Sequence, residues 1–115
     1  ENDLHAAVPS LAFACVVRRY GVGVADAIDG RRVAVVGHSF GGGVAAHLAA
    51  APQVVAVIAM ASGGVVAEGR CPAVLILGGT RDGVVPYPRQ QAGFAATPPP
   101  ARLVGIEGAG HLAFS

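Results

Sequence analysis

One stretch constrains the fold of this chain more than any other. Val33-Ala34-Val35-Val36 is an unbroken apolar run, it ends in Gly37-His38-Ser39-Phe40-Gly41, and a small, Ala-rich segment from Phe40 to Ala50 follows at once. The run does not alternate, which predicts a strand covered on both faces, as in parallel sheets. The segment behind it reads as a helix. No linker separates the two, so the turn between them must be abrupt. Such a turn forces its serine into a strained backbone conformation. Gly37 and Gly41 remove side chains that would collide there, and Gly42-Gly43 keep the helix start close to the sheet. The Ser39 hydroxyl then projects above the strand end, and the positive end of the new helix points at the same spot.

The rest of the chain continues the pattern. A helix capped by Asn2 or Asp3 is expected to run to about Tyr20, with Leu4, Ala7, Val8, Leu11, Ala14 and Cys15 on one face and a start or kink set by Pro9. Gly21 to Arg32 is a connector, with a short helical turn at Val24 to Ile28. Beyond Pro52 a second buried strand spans Val54 to Met60, and Ser62 to Arg70 is a short loop. Pro72 opens a third strand, Ala73 to Leu77; a helix follows from Arg89 to Ala96, stopped by Thr97-Pro98-Pro99-Pro100. A fourth strand runs from Arg102 to Ile106, and Gly108 to Ser115 is a loop. Strands and helices that alternate in this way predict an α/β fold: one domain over residues 1–115, about four parallel strands with flanking helices. The join between the second and third strands, about a dozen residues, is near the shortest that a parallel crossover allows.

Composition narrows the function classes. The chain is 53% hydrophobic with a formal charge of +1, which suits a globular domain and speaks against nucleic acid as the main partner. The apolar runs are too short and too broken by Gly and Pro to span a bilayer. Cys15 and Cys71 form no CxxC pair and sit near no His at ligand spacing, so no metal site is expected. They can bridge, stay free or pair outside the chain; buried, inert thiols are the expected state. The sequence fixes no compartment.

Gly37-His38-Ser39-Phe40-Gly41 is a G-x-S-x-G motif between a strand and a helix. Its rivals are a phosphate loop and a plain serine helix cap. The chain has no Lys, which rules out the Gly-Lys-Ser/Thr phosphate loop, and Gly37-His38-Ser39 breaks the dinucleotide pattern. A serine hydroxyl is a poor nucleophile until a base takes its proton, and the base needs a third group to hold its tautomer. Asp82 lies in the loop past the third strand, and His111 in the loop past the fourth. Parallel strands share their C-terminal edge, so Ser39, Asp82 and His111 are expected on one rim.

GHSFGGG at 37–43, GGTRDGVVP at 78–86 and GAGH at 108–111 resemble, in this order, the α/β-hydrolase family. The resemblance implies Ser39 as nucleophile, His111 as general base and acid, Asp82 as the orienting acid and the Phe40 backbone N–H as an oxyanion donor. Within the family the chain is similar to lid-less esterases of the cutinase-like and dienelactone-hydrolase-like kinds. That implies hydrolysis of a small-molecule or polymeric carboxylic ester through an acyl-enzyme, with no metal or organic cofactor. A thioesterase, peptidase or acyltransferase on the same three residues, or a non-catalytic fragment, are the alternatives.

Other residues compete for these roles. Glu68 follows the second strand, where some relatives carry their acid, and Glu107 is too near His111 in sequence to bridge to it comfortably. His5 and His47 are read as surface or packing residues, and His38 as support for the turn. Phe40, Val84, Val85 and Tyr87 can line a pocket or belong to the core. The family's sheet usually has eight strands. The expectation is therefore a partial domain lacking the N-terminal strands and the loop with the second oxyanion donor. Its first strand would be an exposed apolar edge, and its activity alone weak or nil.

Overall fold

The computed structural model describes residues 27–63 and 72–115. The helix expected over residues 2–20, most of the connector that follows it, and Cys15, Cys71, His5 and Glu68 lie outside them.

Four strands form one sheet: β1 (Val33–His38), β2 (Val54–Met60), β3 (Ala73–Gly79) and β4 (Ala101–Ile106). They pair in chain order, and every pair is parallel. Helix α1 (Phe40–His47) follows β1 and ends in a 3₁₀ turn at Leu48–Ala50; α2 (Tyr87–Ala95) lies between β3 and β4. A second 3₁₀ turn, His111–Phe114, follows β4. Helix α2 starts two residues before its expected place. Pro88 falls in its first turn, where the missing N–H costs nothing, so the proline opens the helix instead of delaying it.

Strand parity shows how the layers meet. The row Val35, Val57, Val74, Ala101 and the next row, Gly37, Ala59, Ile76, Leu103, share one face of the sheet. Ala45, Ala46 and Ala49 of the first helical segment pack on these rows, and so does Phe94 of α2. Both helices therefore cover the same face. Alanine lets α1 lie close to the sheet, and Val57 and Ile76 in the same core are almost wholly buried. Each large aliphatic side chain removed from water here contributes roughly 1.5–3 kcal/mol.

The opposite face carries Val36, Ile58 and Leu75 in one row and Met60, Leu77 and Val104 in another. Val36 is 58% exposed. This corrects the expectation that residues 33–36 are covered on both faces. Among the described residues β1 is an edge strand paired with β2 alone, and α1 covers one of its faces. The apolar run is unbroken in sequence, but its burial alternates.

Among the described residues no helix is long and apolar enough to cross a membrane. Ile76, in the middle of β3 with no exposed surface, is the test of this core. Ile76→Ala is expected to cost about 2–5 kcal/mol, read as a lower denaturant midpoint with an unchanged slope.

Candidate active site

The strand-to-helix turn is as tight as its sequence demands. Ser39 adopts φ 55° and ψ −119°, a conformation that ordinary L-residues avoid. Three backbone bonds hold it there. The Ser39 N–H donates to the Met60 carbonyl at 2.8 Å, and the Gly42 and Gly43 N–H groups donate to the Ser39 carbonyl at 3.0 and 3.3 Å. A Cβ at Gly37 would overlap the Gly41 carbonyl, so residue 37 must be glycine. The Phe40 N–H, at the first position of α1, has no acceptor among the described residues and is free to meet a developing anion.

The second loop delivers a carboxylate. Asp82 turns back on its own backbone: Oδ1 accepts from the Val84 N–H at 2.9 Å and the Val85 N–H at 2.8 Å. Oδ2 accepts from Gln90 Nε2 at 3.2 Å, and the same amide nitrogen donates to the Val85 carbonyl at 2.7 Å. Both partners of Nε2 are acceptors, which fixes the orientation of the amide. Its Oε1 is buried without a partner and lies against Gly78, where a Cβ would overlap it. Tyr87 packs over Gly78 and the adjacent Gly105 in the same way. Glycine at these two sheet positions lets α2 settle on the strand ends and hold the acid loop down.

The third loop brings the imidazole. It is tied to the acid loop by the Gly108 N–H donating to Thr80 Oγ1 at 2.8 Å and the Arg81 N–H donating to the Ala109 carbonyl at 3.0 Å. His111 Nδ1 lies 3.0 and 2.9 Å from the two Asp82 oxygens, and Nε2 lies 2.8 Å from Ser39 Oγ. An ionised carboxylate only accepts, so Nδ1 carries the proton and Nε2 is left to accept from the serine hydroxyl. His38 Nε2 donates to the His111 carbonyl at 2.7 Å. It supports the histidine loop as well as ending β1.

Electrostatics agree with this order. Burial opposes ionisation of Asp82 and is the largest single influence on it. The hydrogen bond from His111, those from the Val85 and Val84 amides, and the charge of a protonated His111 outweigh it together. They hold the carboxyl below its ordinary 3.8. Asp82 is thus held as an anion against His111 Nδ1.

Of the residues named from sequence, Ser39, His111 and Asp82 come together in one hydrogen-bonded line, with Phe40 beside it. Glu107 is exposed, and the acid that faces His111 is Asp82. His47 is exposed on α1 and lines an open cleft of 660 Å³ beside Ser39. Phe40 and Val85 line the same cleft, Val84 points largely into solvent, and Tyr87 is packed beneath the acid loop. Sequence reasoning missed Gln90. Its only signal was a polar residue on the helix face that covers the sheet, one turn into α2.

A scan against protein-family models finds no match, and neither does a search of the curated proteins. Solved structures do match. The esterase PE8 is 26% identical over 93% of this chain and 52% of its own, with a TM-score of 0.61. An alpha-beta serine hydrolase homologue from Coxiella burnetii is 20% identical over 96% of this chain and 53% of its own, with a TM-score of 0.64. The esterase Est2 of Thermogutta terrifontis, with propionate bound, is 17% identical over 90% of this chain and 53% of its own, with a TM-score of 0.65. The fold is that of the α/β-hydrolases, and the chain spans about half the length of these solved structures.

Two outcomes are expected at the acid. Gln90→Leu leaves Asp82 Oδ2 and the Val85 carbonyl without their shared donor, and should cost about 1–3 kcal/mol in denaturant unfolding. Because the folded-state pKa of Asp82 is depressed, its contribution to stability is full above the ordinary 3.8 and is lost as pH falls below it. Unfolding followed from about pH 5 to about pH 2 should show that loss, and Asp82→Asn should lack that part of it.

Proposed function

We propose that this chain carries the nucleophile, acid and base of a serine hydrolase that cleaves carboxylic esters. The observation that supports the reading best is the line from Ser39 Oγ through His111 to Asp82, 2.8 Å on one side and 2.9 Å on the other, built on a serine at φ 55°. A plain helix cap needs neither the strain nor the imidazole.

In this reading Ser39 Oγ attacks the ester carbonyl carbon while its proton passes to His111 Nε2. The carbonyl oxygen becomes an oxyanion and accepts from the Phe40 N–H. Asp82 keeps the imidazole ring aligned and stabilises its positive charge without taking the proton. The tetrahedral species collapses, the alcohol leaves with the proton from His111 Nε2, and an acyl group stays on Ser39. Water repeats the sequence: its proton goes to Nε2, and the acid leaves as Ser39 Oγ takes that proton back. Phe40, 86% exposed, and Val44 give the cleft an apolar wall, and its open side admits bulky or polymeric esters.

Of the donors such an oxyanion needs, the described residues identify one, the Phe40 N–H. One such donor is worth about 10²–10³ in turnover, so formation of the acyl-enzyme is a better test than steady hydrolysis. After exposure to p-nitrophenyl acetate, mass spectrometry should find one acetyl group on the peptide that holds Ser39, and none in Ser39→Ala. Acetylation elsewhere, or none in the unaltered chain, would overturn the reading.

A further inference from the structure

One group beside the nucleophile has no part in that mechanism. Arg89 is the third residue of α2, and its side chain borders the cleft that contains Ser39. It is an exposed residue in the first turn of the helix. Its backbone N–H donates to the Pro86 carbonyl at 2.8 Å, which fixes the start of the helix. A Cβ built on Gly63 would stand 3.3 Å from Arg89 Nε and 3.9 Å from Cζ, so the guanidinium lies against the bare backbone at the end of β2.

Among the described residues this guanidinium has neither an ion pair nor a side-chain hydrogen bond. Arg31, by contrast, is paired with Asp29 at 3.0 Å. Among the described residues no acidic side chain lines the cleft. Ser62 lies next to Gly63 and is 3% exposed, and its hydroxyl borders the cleft without a partner among the described residues. A Cβ at Gly42 would lie 2.6 Å from Ser62 Cβ, which places that serine against the first turn of the nucleophile's own helix. A cation and a hydroxyl, both lining the cleft and both without a partner among the described residues, thus face the space where a substrate would sit.

A guanidinium presents a planar fork that suits a carboxylate, and an uncompensated cation at a cleft concentrates anions there. We propose that Arg89 and Ser62 form a carboxylate-binding subsite, and that the substrates are esters carrying a second, free carboxylate. This rests on the ester-hydrolase reading. The carboxylate sits on Arg89 and accepts from the Ser62 hydroxyl. The hydrocarbon between it and the ester lies along Phe40, Val44 and Val85. A half-ester of a dicarboxylic acid puts the anion on the acyl side, and an ester of a hydroxy acid puts it on the alcohol side.

Two matched pairs test this: mono-p-nitrophenyl adipate against its methyl ester, and 4-acetoxyphenylacetate against its methyl ester. The rate of acylation at Ser39 is read by mass spectrometry, and the quantity of interest is the charged-to-capped ratio within each pair. In at least one pair the charged ester should be about 10- to 100-fold faster, the range of one charged hydrogen bond. That ratio should shrink at high salt, fall to near one in Arg89→Leu, and drop below one in Arg89→Glu. Arg89→Lys keeps the charge but loses the fork, and should lie between. A ratio near one for both pairs in the unaltered chain, or a ratio that survives Arg89→Leu, would overturn the subsite while acylation by the capped esters left the hydrolase reading intact. No acylation by any of the four would overturn both.

Discussion

The backbone of residue 39 is the constraint from which the rest of the structure follows. A φ of 55° costs roughly 1–3 kcal/mol and persists only where its surroundings impose it. Here the Met60 carbonyl fixes the entry to the turn, and two amides of α1 fix the exit. The side chain that would prevent closure is missing at Gly37. The turn sets where α1 begins, and therefore where the alanines of α1 meet the sheet. It also sets the height of the hydroxyl above the strand ends, where the loops after β3 and β4 arrive because all four strands run the same way.

Those loops show how stability and chemistry are joined. Asp82 is withdrawn from water, which by itself would favour its neutral form. It stays an anion because two backbone amides, the Gln90 amide and His111 surround it with donors. Gln90 can reach it only because Gly78 leaves room for the buried amide oxygen. That oxygen, buried without a partner, is itself a cost of this arrangement. The loops are fastened to one another through Thr80 and Arg81, which ties the loop of the imidazole to that of the carboxylate.

Much of this was legible in the residues. β2 was expected over Val54 to Met60 and occupies those residues, because Pro52 on one side and the Gly/Ser-rich stretch on the other bound an apolar run too short for a helix. The three turns and loops that carry Ser39, Asp82 and His111 could be placed because each follows an apolar strand of the same direction. The supports were not legible. Gln90 and Tyr87 face Gly78 and Gly105 across nine to eighteen positions of sequence, and nothing local to either announces the contact. The exposure of Val36 agrees with the expectation of an exposed apolar edge at the first strand and not with that of cover on both faces, because burial there depends on which neighbours are present, while the apolar run reports only composition. His38 was read as a support of the turn, and its bond to the His111 carbonyl extends that support across the rim.

The account turns on whether the serine is activated by the two side chains aligned behind it. The most direct measurement is the rate at which a fluorophosphonate reacts with the chain, compared with His111→Ala and Asp82→Asn. One phosphonyl group should form on Ser39, with the rate falling by several orders of magnitude when the imidazole is removed. Loss of the acid, which leaves the ring in the wrong tautomer, should slow it by up to about 10⁴-fold. Equal rates in all three proteins, or a label on another residue, would contradict it.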